Sequence, residues 1–127
     1  MYSIEPTKIN ESIIYRSKNS SNQIMNLIFT PYKSYNQTYW YVCFWIGKHK
    51  NGFQEFKVTG RSGLSSLLWA KKAIIDFISK VDSRIINHVC ISWTDNKRRD
   101  AYLRGLSPLG FTKKRIDTQM VLHFKIN

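Results

Sequence analysis

Apolar patches alternate with polar turns along the first third of the chain. Two such patches lie around residues 9–15 and 24–29, and the polar segment 16–23 between them is typical of a loop. We therefore predict a strand in each patch. The segment 30–38 (TPYKSYNQT) is rich in Pro, Ser and Asn, and we expect it to form an irregular connection.

A stronger strand signal follows in residues 38–47 (TYWYVCFWIG). These residues are mostly aromatic or β-branched, and both types favour strands. The segment 48–52 (KHKNG) supplies an Asn-Gly pair suited to positive φ, so residues 53–59 (FQEFKVT) are expected to return as the second strand of a hairpin. Because the first strand is apolar at odd and even positions alike, we predict that both of its faces are buried.

The segment 60–84 (GRSGLSSLLWAKKAIIDFISKVDSR) carries the pattern of a long helix. Apolar residues recur every three or four positions, which is typical of an amphipathic helix packed on a sheet. Ser62 or Gly63 is expected to cap its start, and Lys80 and Arg84 lie near its end, where cations interact favourably with the helix dipole. The residues predicted to face the sheet are Leu64, Leu67, Leu68, Ile74, Ile75 and Ile78.

The last third of the chain predicts a strand, a short helix and a strand. Residues 84–95 (RIINHVCISWTD) have the composition of a buried strand, and polar residues at 94–96 can cap the helix that follows. That helix ends near Pro108 and Gly110, and residues 118–126 alternate with the period of a final strand. In the short helix, the residues expected to point inward are Ala101, Tyr102, Leu106 and Leu109.

This order of elements predicts a mixed α/β layer fold with one central mixed sheet. The length of 127 residues suits one hydrophobic core, so we expect residues 1–127 to form a single domain. No apolar run is long enough to span a bilayer, and the first residues lack the apolar core of a secretion signal. We therefore expect a cytoplasmic protein without a membrane partner.

Charge changes this picture more than any other property of the composition. Twenty Lys and Arg residues against eight Asp and Glu leave a formal net charge of +12. Such a field attracts polyanions, so coenzyme A, nucleic acid and acidic protein surfaces are all candidate partners. The basic residues proposed to contact nucleic acid or an acidic partner are Lys48, Lys50, Lys97, Arg98, Arg99, Arg104, Lys113, Lys114 and Arg115.

The cysteines and histidines offer little chemistry at the level of sequence. Cys43 and Cys90 each lie in a strand-like run and belong to no CxxC motif, so we predict buried structural thiols, with a disulfide or a nucleophilic thiol as the alternatives. His49, His88 and His123 are scattered along the chain, and no metal site is predicted.

Four short segments of the second half carry a family resemblance. They are GRSGLS (60–65), VCISWTDN (89–96), LGF (109–111) and QMVLHFKI (119–126). Over about residues 53–127, their order resembles that of the GNAT superfamily of N-acyltransferases. In that family a Q/R-x-x-G-x-G/A loop opens a long helix, a strand then ends near an Asn, and a short helix leads through a Leu-Gly-Phe corner to the last strand.

The resemblance implies a GNAT-like fold that transfers an acetyl group from acetyl-CoA to an amine of an acceptor. Backbone N–H groups at a helix start, together with the helix dipole, can hold a pyrophosphate. Tyr102 is the implied general acid, and Glu55 is the best-placed general base. The residues assigned in this way to the cofactor are Gly60, Arg61, Ser62, Gly63, Leu64, Ser65 and Asn96.

Three positions depart from the family pattern. Gly60 replaces the Gln or Arg that begins the loop motif, and Ser65 replaces the small residue that ends it. Leu106 occupies the position, four residues before the Gly-Phe corner, where the family often has a tyrosine. Tyr102 lies one turn earlier on the same face of the helix.

Two non-catalytic functions remain open from the sequence. In the first, the protein binds nucleic acid: the basic helix at 97–104 follows a backbone or groove, and aromatic residues of the hairpin stack on bases. In the second, an inactive GNAT-like scaffold engages an acidic host factor, as suits a small basic protein of a phage or mobile element. The hairpin residues of the first alternative are Tyr39, Trp40, Tyr41, Phe44 and Trp45, with Lys48, Lys50 and Lys57 beside them.

Overall fold

A computed structural model describes residues 6–18, 22–46, 62–82, 84–92, 96–116 and 118–126. In this part of the chain, seven strands form one sheet and two helices accompany it. The strands are β1 (Thr7–Ile9), β2 (Ser12–Lys18), β3 (Ile24–Ser34), β4 (Gln37–Ile46), β5 (Ile86–Ile91), β6 (Thr112–Ile116) and β7 (Gln119–Ile126). The helices are α1 (Ser62–Lys80) and α2 (Asn96–Leu106), and the 3-10 turn Ser107–Leu109 follows α2. The predicted mixed α/β class is confirmed.

The strands lie in the order β1-β2-β3-β4-β5-β7-β6. Only β4 and β5 pair in parallel, while every other neighbouring pair is antiparallel. A parallel pair needs a crossover connection, and α1 supplies it between β4 and β5.

Both helices pack on the same side of the sheet. Leu106 of α2, Phe111 after it and Phe77 of α1 belong to one buried cluster with strand residues such as Leu27 and Val89. We call this side the helix face and the other side the opposite face. Because side chains alternate along a strand, each strand divides its residues between the two faces.

Aromatic contacts fix α1 on the helix face. The ring of Phe77 stacks on Phe29 with centroids 3.9 Å apart and meets Trp40 edge-on at 5.0 Å. Trp69, two turns earlier, meets Phe44 edge-on at 6.0 Å. The helix therefore runs antiparallel to β4, with its start near the carboxyl end of that strand.

The predicted inward face of α1 is partly wrong. Leu68 and Ile75 are 51% and 44% exposed, although both were expected to face the sheet. The buried residues recur at Trp69, Ala73 and Phe77, four positions apart. The two large rings set the rotation of the helix because they bury the most apolar surface, and the small Ala73 between them allows close approach to the strands.

A partly buried hydrogen bond also links α1 to the sheet. The hydroxyl of Tyr15 on β2 donates to Oδ2 of Asp76 at 2.8 Å, and Lys80 lies 3.0 Å from the same oxygen. Burial, and then the neighbouring carboxylate, raise the pKa of Tyr15 well above its usual value. Tyr15 is therefore a neutral donor at every ordinary pH.

The Leu-Gly-Phe corner requires its glycine. Gly110 has φ of 105°, in the left-handed region, and its N–H donates to the carbonyl oxygen of Ser107 at 3.0 Å. A Cβ at this position would lie 2.9 Å from Cε2 of Phe124. The corner thus turns the chain from α2 into β6 and leaves Phe111 buried beside Phe124, with ring centroids 5.2 Å apart.

Other sequence-based expectations differ from the structure in the strands. The connection predicted for 30–38 is instead the end of β3, a tight turn at Tyr35 and Asn36, and the start of β4. Strand β6 was not predicted at all. The strand expected for 53–59 lies outside the described residues.

Candidate functional site

The two helices begin at the same edge of the sheet. Helix α2 starts at Asn96, only a few residues after the end of β5, and the aromatic contacts of α1 place its start beyond Phe44 at the end of β4. Since β4 and β5 are parallel, their carboxyl ends share this edge. We call the ends of β4 and β5, with the first turns of α1 and α2, the carboxyl edge. Sheets with parallel strands commonly bind ligands at such an edge.

Strand β4 extends further towards this edge than its described pairing with β5 does. Their described pairing runs from Gln37↔Ile86 to Val42↔Ile91, and β4 continues to Ile46 while β5 ends. On its other side, β4 stays paired with β3 up to Ile46. The last four positions of β4, residues 43–46, therefore extend past the described pairing with β5.

The helix starts favour an anion at the same edge. The first four N–H groups of a helix lack partners inside the helix, and the dipole adds partial positive charge there. Neither α1 nor α2 has an acidic residue in its first turn. No carboxylate from these turns therefore competes with an external anion for these N–H groups.

A buried indole donor lies close to the carboxyl edge. Nε1 of Trp45, next to the last residue of β4, is the one fully buried side-chain donor or acceptor of the described residues without a hydrogen-bond partner. Trp45 is 4% exposed, and an unpaired buried donor costs about 1–3 kcal/mol. An acceptor from a ligand would remove this cost.

The residues assigned to the cofactor fall partly within the described chain. The backbone of residues 62–65 forms the first turn of α1, and Asn96 is the first residue of α2, so the fold brings these two segments to one edge. Gly60 and Arg61 lie outside the described residues. So does Glu55, the assigned base.

The assigned acid lies further from the edge. Tyr102 is half-buried near the middle of α2 and packs against the core on the helix face. At about 1.5 Å per residue, its backbone lies roughly 9 Å along the helix from Asn96. Leu106, which has the position of the family tyrosine, is 5% exposed and belongs to the core.

The basic residues whose side chains the structure describes do not form one patch. Lys113, Lys114 and Arg115 are all exposed on the edge strand β6, but alternation puts Lys114 on the opposite face and its two neighbours on the other side. Arg104 is exposed in the last turn of α2. The backbone of residues 97–99 lies in the first turn of α2, and Lys48 and Lys50 lie outside the described residues, as does Lys57.

The aromatic platform expected on the hairpin is divided in the same way. Trp40 and Phe44 point to the helix face, where they contact α1. Tyr39 and Tyr41 point to the opposite face, and so does Trp45, which is buried. These five rings therefore form no continuous platform, as the alternation of side chains along a strand already implies.

The two cysteines differ in exposure. Cys90 is buried on β5, as predicted, and burial raises the pKa of its thiol to about 11. Cys43 is exposed, so the prediction of a buried thiol is wrong there. It is the first residue of β4 beyond the described pairing with β5.

The sequence did not predict the imidazole pair on the opposite face. Nδ1 of His88 lies 2.7 Å from Nε2 of His123, and Nε2 of His88 lies 2.7 Å from Oε1 of Gln37. Since the amide oxygen only accepts, His88 donates from Nε2, and its neutral ring accepts from His123 at Nδ1. The ring of Tyr39 stacks on His88 with centroids 4.2 Å apart and an interplanar angle of 6°.

Burial is the main reason why both imidazoles stay neutral. It lowers the pKa of His88 and, together with Lys114, His88 and Lys125, lowers the pKa of His123 to about 4. The histidines are 35 residues apart, and only the antiparallel register of β5 with β7 brings them together. The sequence carried one indication of this pair: both histidines lie on the side of their strands away from the apolar residues Val89 and Leu122.

No family model, curated protein or solved structure matches the chain. The part of the chain that the structure describes contains no group of three or more His, Cys, Asp or Glu arranged to hold a metal ion. None of its helices combines the length and apolar character needed to cross a membrane.

Proposed function

We propose that the protein binds an acyl-CoA at the carboxyl edge and transfers the acyl group to an amine. The observation that carries this proposal is the continuation of β4 for four residues past its pairing with β5, at the edge where α1 and α2 begin. This arrangement places the end of a strand beside two helix N-termini.

The first turn of α1 suits the pyrophosphate. Its N–H groups are unpaired within the helix, its dipole favours negative charge, and it contains no acidic residue. The net charge of +12 adds long-range attraction for the same anion. Gly63 in this turn lets the backbone approach a phosphate closely, and Arg61 before it can add a cation.

The end of β4 suits the amide-containing arm that joins the pyrophosphate to the thioester. Such an arm carries amide groups that both donate and accept hydrogen bonds, so it suits a site built from polar backbone and side-chain groups. The carbonyl groups of this arm can also accept a hydrogen bond from the buried N–H of Trp45.

An acyl-CoA supplies a thioester whose carbonyl carbon is attacked by an amine; the C–S bond then breaks and the thiolate leaves. The residues of this chain would position the two reactants and move two protons. Glu55 would accept the proton lost by the amine, and Tyr102 would donate one to the thiolate. The order α1, β5, α2 and Leu-Gly-Phe corner supports these roles, since the GNAT resemblance rests on it, while β6 is an added strand between that corner and the last strand, β7.

Calorimetric titration of acetyl-CoA into nucleic-acid-free protein tests the proposal. Gly63→Asp adds a side chain and a negative charge to the first turn of α1, so affinity should fall at least about tenfold through repulsion of the pyrophosphate. Gly105→Asp is the matched control: it makes the same change on α2, where an added Cβ meets nothing within 4 Å.

The control should bind acetyl-CoA as the parent protein does. Unchanged affinity in Gly63→Asp would remove the first turn of α1 from the site. The absence of any saturable heat with the parent protein would remove the acyltransferase proposal altogether.

A further inference from the structure

Four side chains form a row across the opposite face. Tyr32, Tyr39, His88 and Lys125 occupy directly paired positions on β3, β4, β5 and β7. With strands about 4.8 Å apart, the row is roughly 14 Å long. We call these four residues the stacking row. It crosses β4 and β5 near their amino ends, away from the carboxyl edge.

The row combines an accessible ring with a fixed one. Tyr32 is 67% exposed, while Tyr39 lies flat against His88. His88 is held at both ring nitrogens, by Gln37 and by His123. A planar ligand that stacks here meets rings whose orientation is already restricted, which lowers the entropy cost of binding.

Positive charge converges on the same face. Lys114 and Lys125 each lower the pKa of His88 and of His123, so both ammonium groups act on this side of the sheet. Both lysines are exposed, and neither forms an ion pair with a described residue. None of the seven strands contains an Asp or Glu.

We propose that the stacking row binds single-stranded nucleic acid. Bases stack on Tyr32 and Tyr39, while Lys114 and Lys125 contact the phosphates. Rings on a sheet face can reach bases only where these are unpaired, which favours a single strand over a duplex. An acidic peptide would satisfy the lysines but would leave the exposed ring of Tyr32 without a planar partner, so nucleic acid fits the whole row better.

Fluorescence anisotropy with a labelled short oligothymidylate, repeated at rising salt, tests this proposal on the full chain. Tyr32→Ala should weaken binding roughly tenfold, the typical effect of losing one stacked base. Tyr35→Ala is the matched control, since Tyr35 is wholly exposed in the β3–β4 turn but lies outside the row.

A second pair of variants tests the charge. Lys125→Gln should weaken binding several-fold and reduce the slope of log affinity against log salt by about one. Lys72→Gln removes the same charge from an exposed position of α1, on the other side of the sheet, and should leave affinity and slope nearly unchanged.

Several results would overturn the proposal. One is no binding at low salt; another is equal weakening by Tyr32→Ala and Tyr35→Ala, or by Lys125→Gln and Lys72→Gln. Salt-sensitive binding that Tyr32→Ala does not weaken would indicate an acidic-protein partner instead. The same conclusion would follow if polyglutamate displaced the labelled oligonucleotide as well as the unlabelled oligonucleotide does.

The proposal stands independently of acyl transfer. Acetyl-CoA titration of Tyr32→Ala should match that of the parent protein, whereas Gly63→Asp should retain oligonucleotide binding. If Gly63→Asp instead abolishes oligonucleotide binding, the phosphates occupy the first turn of α1 and the stacking row is the wrong site.

Discussion

The two faces of the sheet are stabilised by different physical means. On the helix face, the rings of Phe29, Trp40 and Phe77 pack together in a buried apolar cluster. On the opposite face, the neutral pair His88 and His123 is buried beside exposed lysines. The helix face should therefore be sensitive to lost volume, and the opposite face to pH and to neighbouring charge.

The largest expected effect is a cavity on the helix face. Phe77→Ala removes the ring that stacks on Phe29 and contacts Trp40, so the free energy of unfolding should fall by about 3–5 kcal/mol. Urea denaturation measures the change. Ile75→Ala, on the exposed side of the same helix, is the control and should cost less than about 1 kcal/mol. Similar losses in both variants would mean that α1 does not pack through Phe77.

A pH effect of intermediate size is expected on the opposite face. The pKa of His123 is about 4 in the folded protein, against an ordinary value of 6.5. Above pH 6.5 the ring is neutral in both states; between pH 6.5 and 4 the unfolded chain binds the proton and the folded chain does not. Stability should therefore fall as pH falls through this window, by about 1.4 kcal/mol for each unit of difference in pKa at most.

The variant His123→Gln isolates this contribution. Its free energy of unfolding, measured by urea denaturation from pH 4 to 7, should depend less on pH than that of the parent protein. Phe77→Ala should lower the whole curve with little change in slope, because no titrating group is lost. An unchanged slope in His123→Gln would show that His123 titrates normally in the folded state.

The smallest expected effect concerns two neighbouring residues of one strand that face opposite sides of the sheet. Lys114 faces His123 and lowers its pKa, whereas Lys113 points to the other side of β6. Lys114→Gln should raise the pKa of His123 by a fraction of a unit to about one unit, and Lys113→Gln should leave it nearly unchanged. An NMR titration of the imidazole protons measures both values. Equal shifts would contradict the alternation of β6.

The sequence predicted elements better than it predicted their faces. The long helix was expected within 60–84 and runs over Ser62–Lys80, because its apolar period is strong. Its rotation was wrong because Leu68 and Ile75 are as apolar as the residues that are buried, and only the packed rings of Trp69 and Phe77 decide between them. Strand β6 was not predicted because its sequence, TKKRI, lacks alternating apolar residues and because the strand pairs with a neighbour on one side only.

The candidate sites show the same limit more strongly. The start of α1 at Ser62 lies within a residue or two of the start expected from the sequence, since helix starts carry local signals. That α1 and α2 begin at one edge depends on the parallel pairing of β4 with β5, which no local signal contains. Likewise, Gln37, His88 and His123 meet only through strand register. Local sequence therefore reveals helix starts and strands, and long-range pairing decides what they bring together.

The composition of β6 has a consequence for association of the protein with itself. An outer strand exposes unpaired backbone groups that can template a strand from another molecule. Here the outer strands are β6, with exposed Lys113, Lys114 and Arg115, and β1, which has only three residues. Two copies that met along β6 would bring like charges into contact, and β1 offers too few backbone groups for a lasting ladder. Within the described part of the chain, the sheet thus ends on both sides in strands that resist edge-to-edge aggregation at high protein concentration.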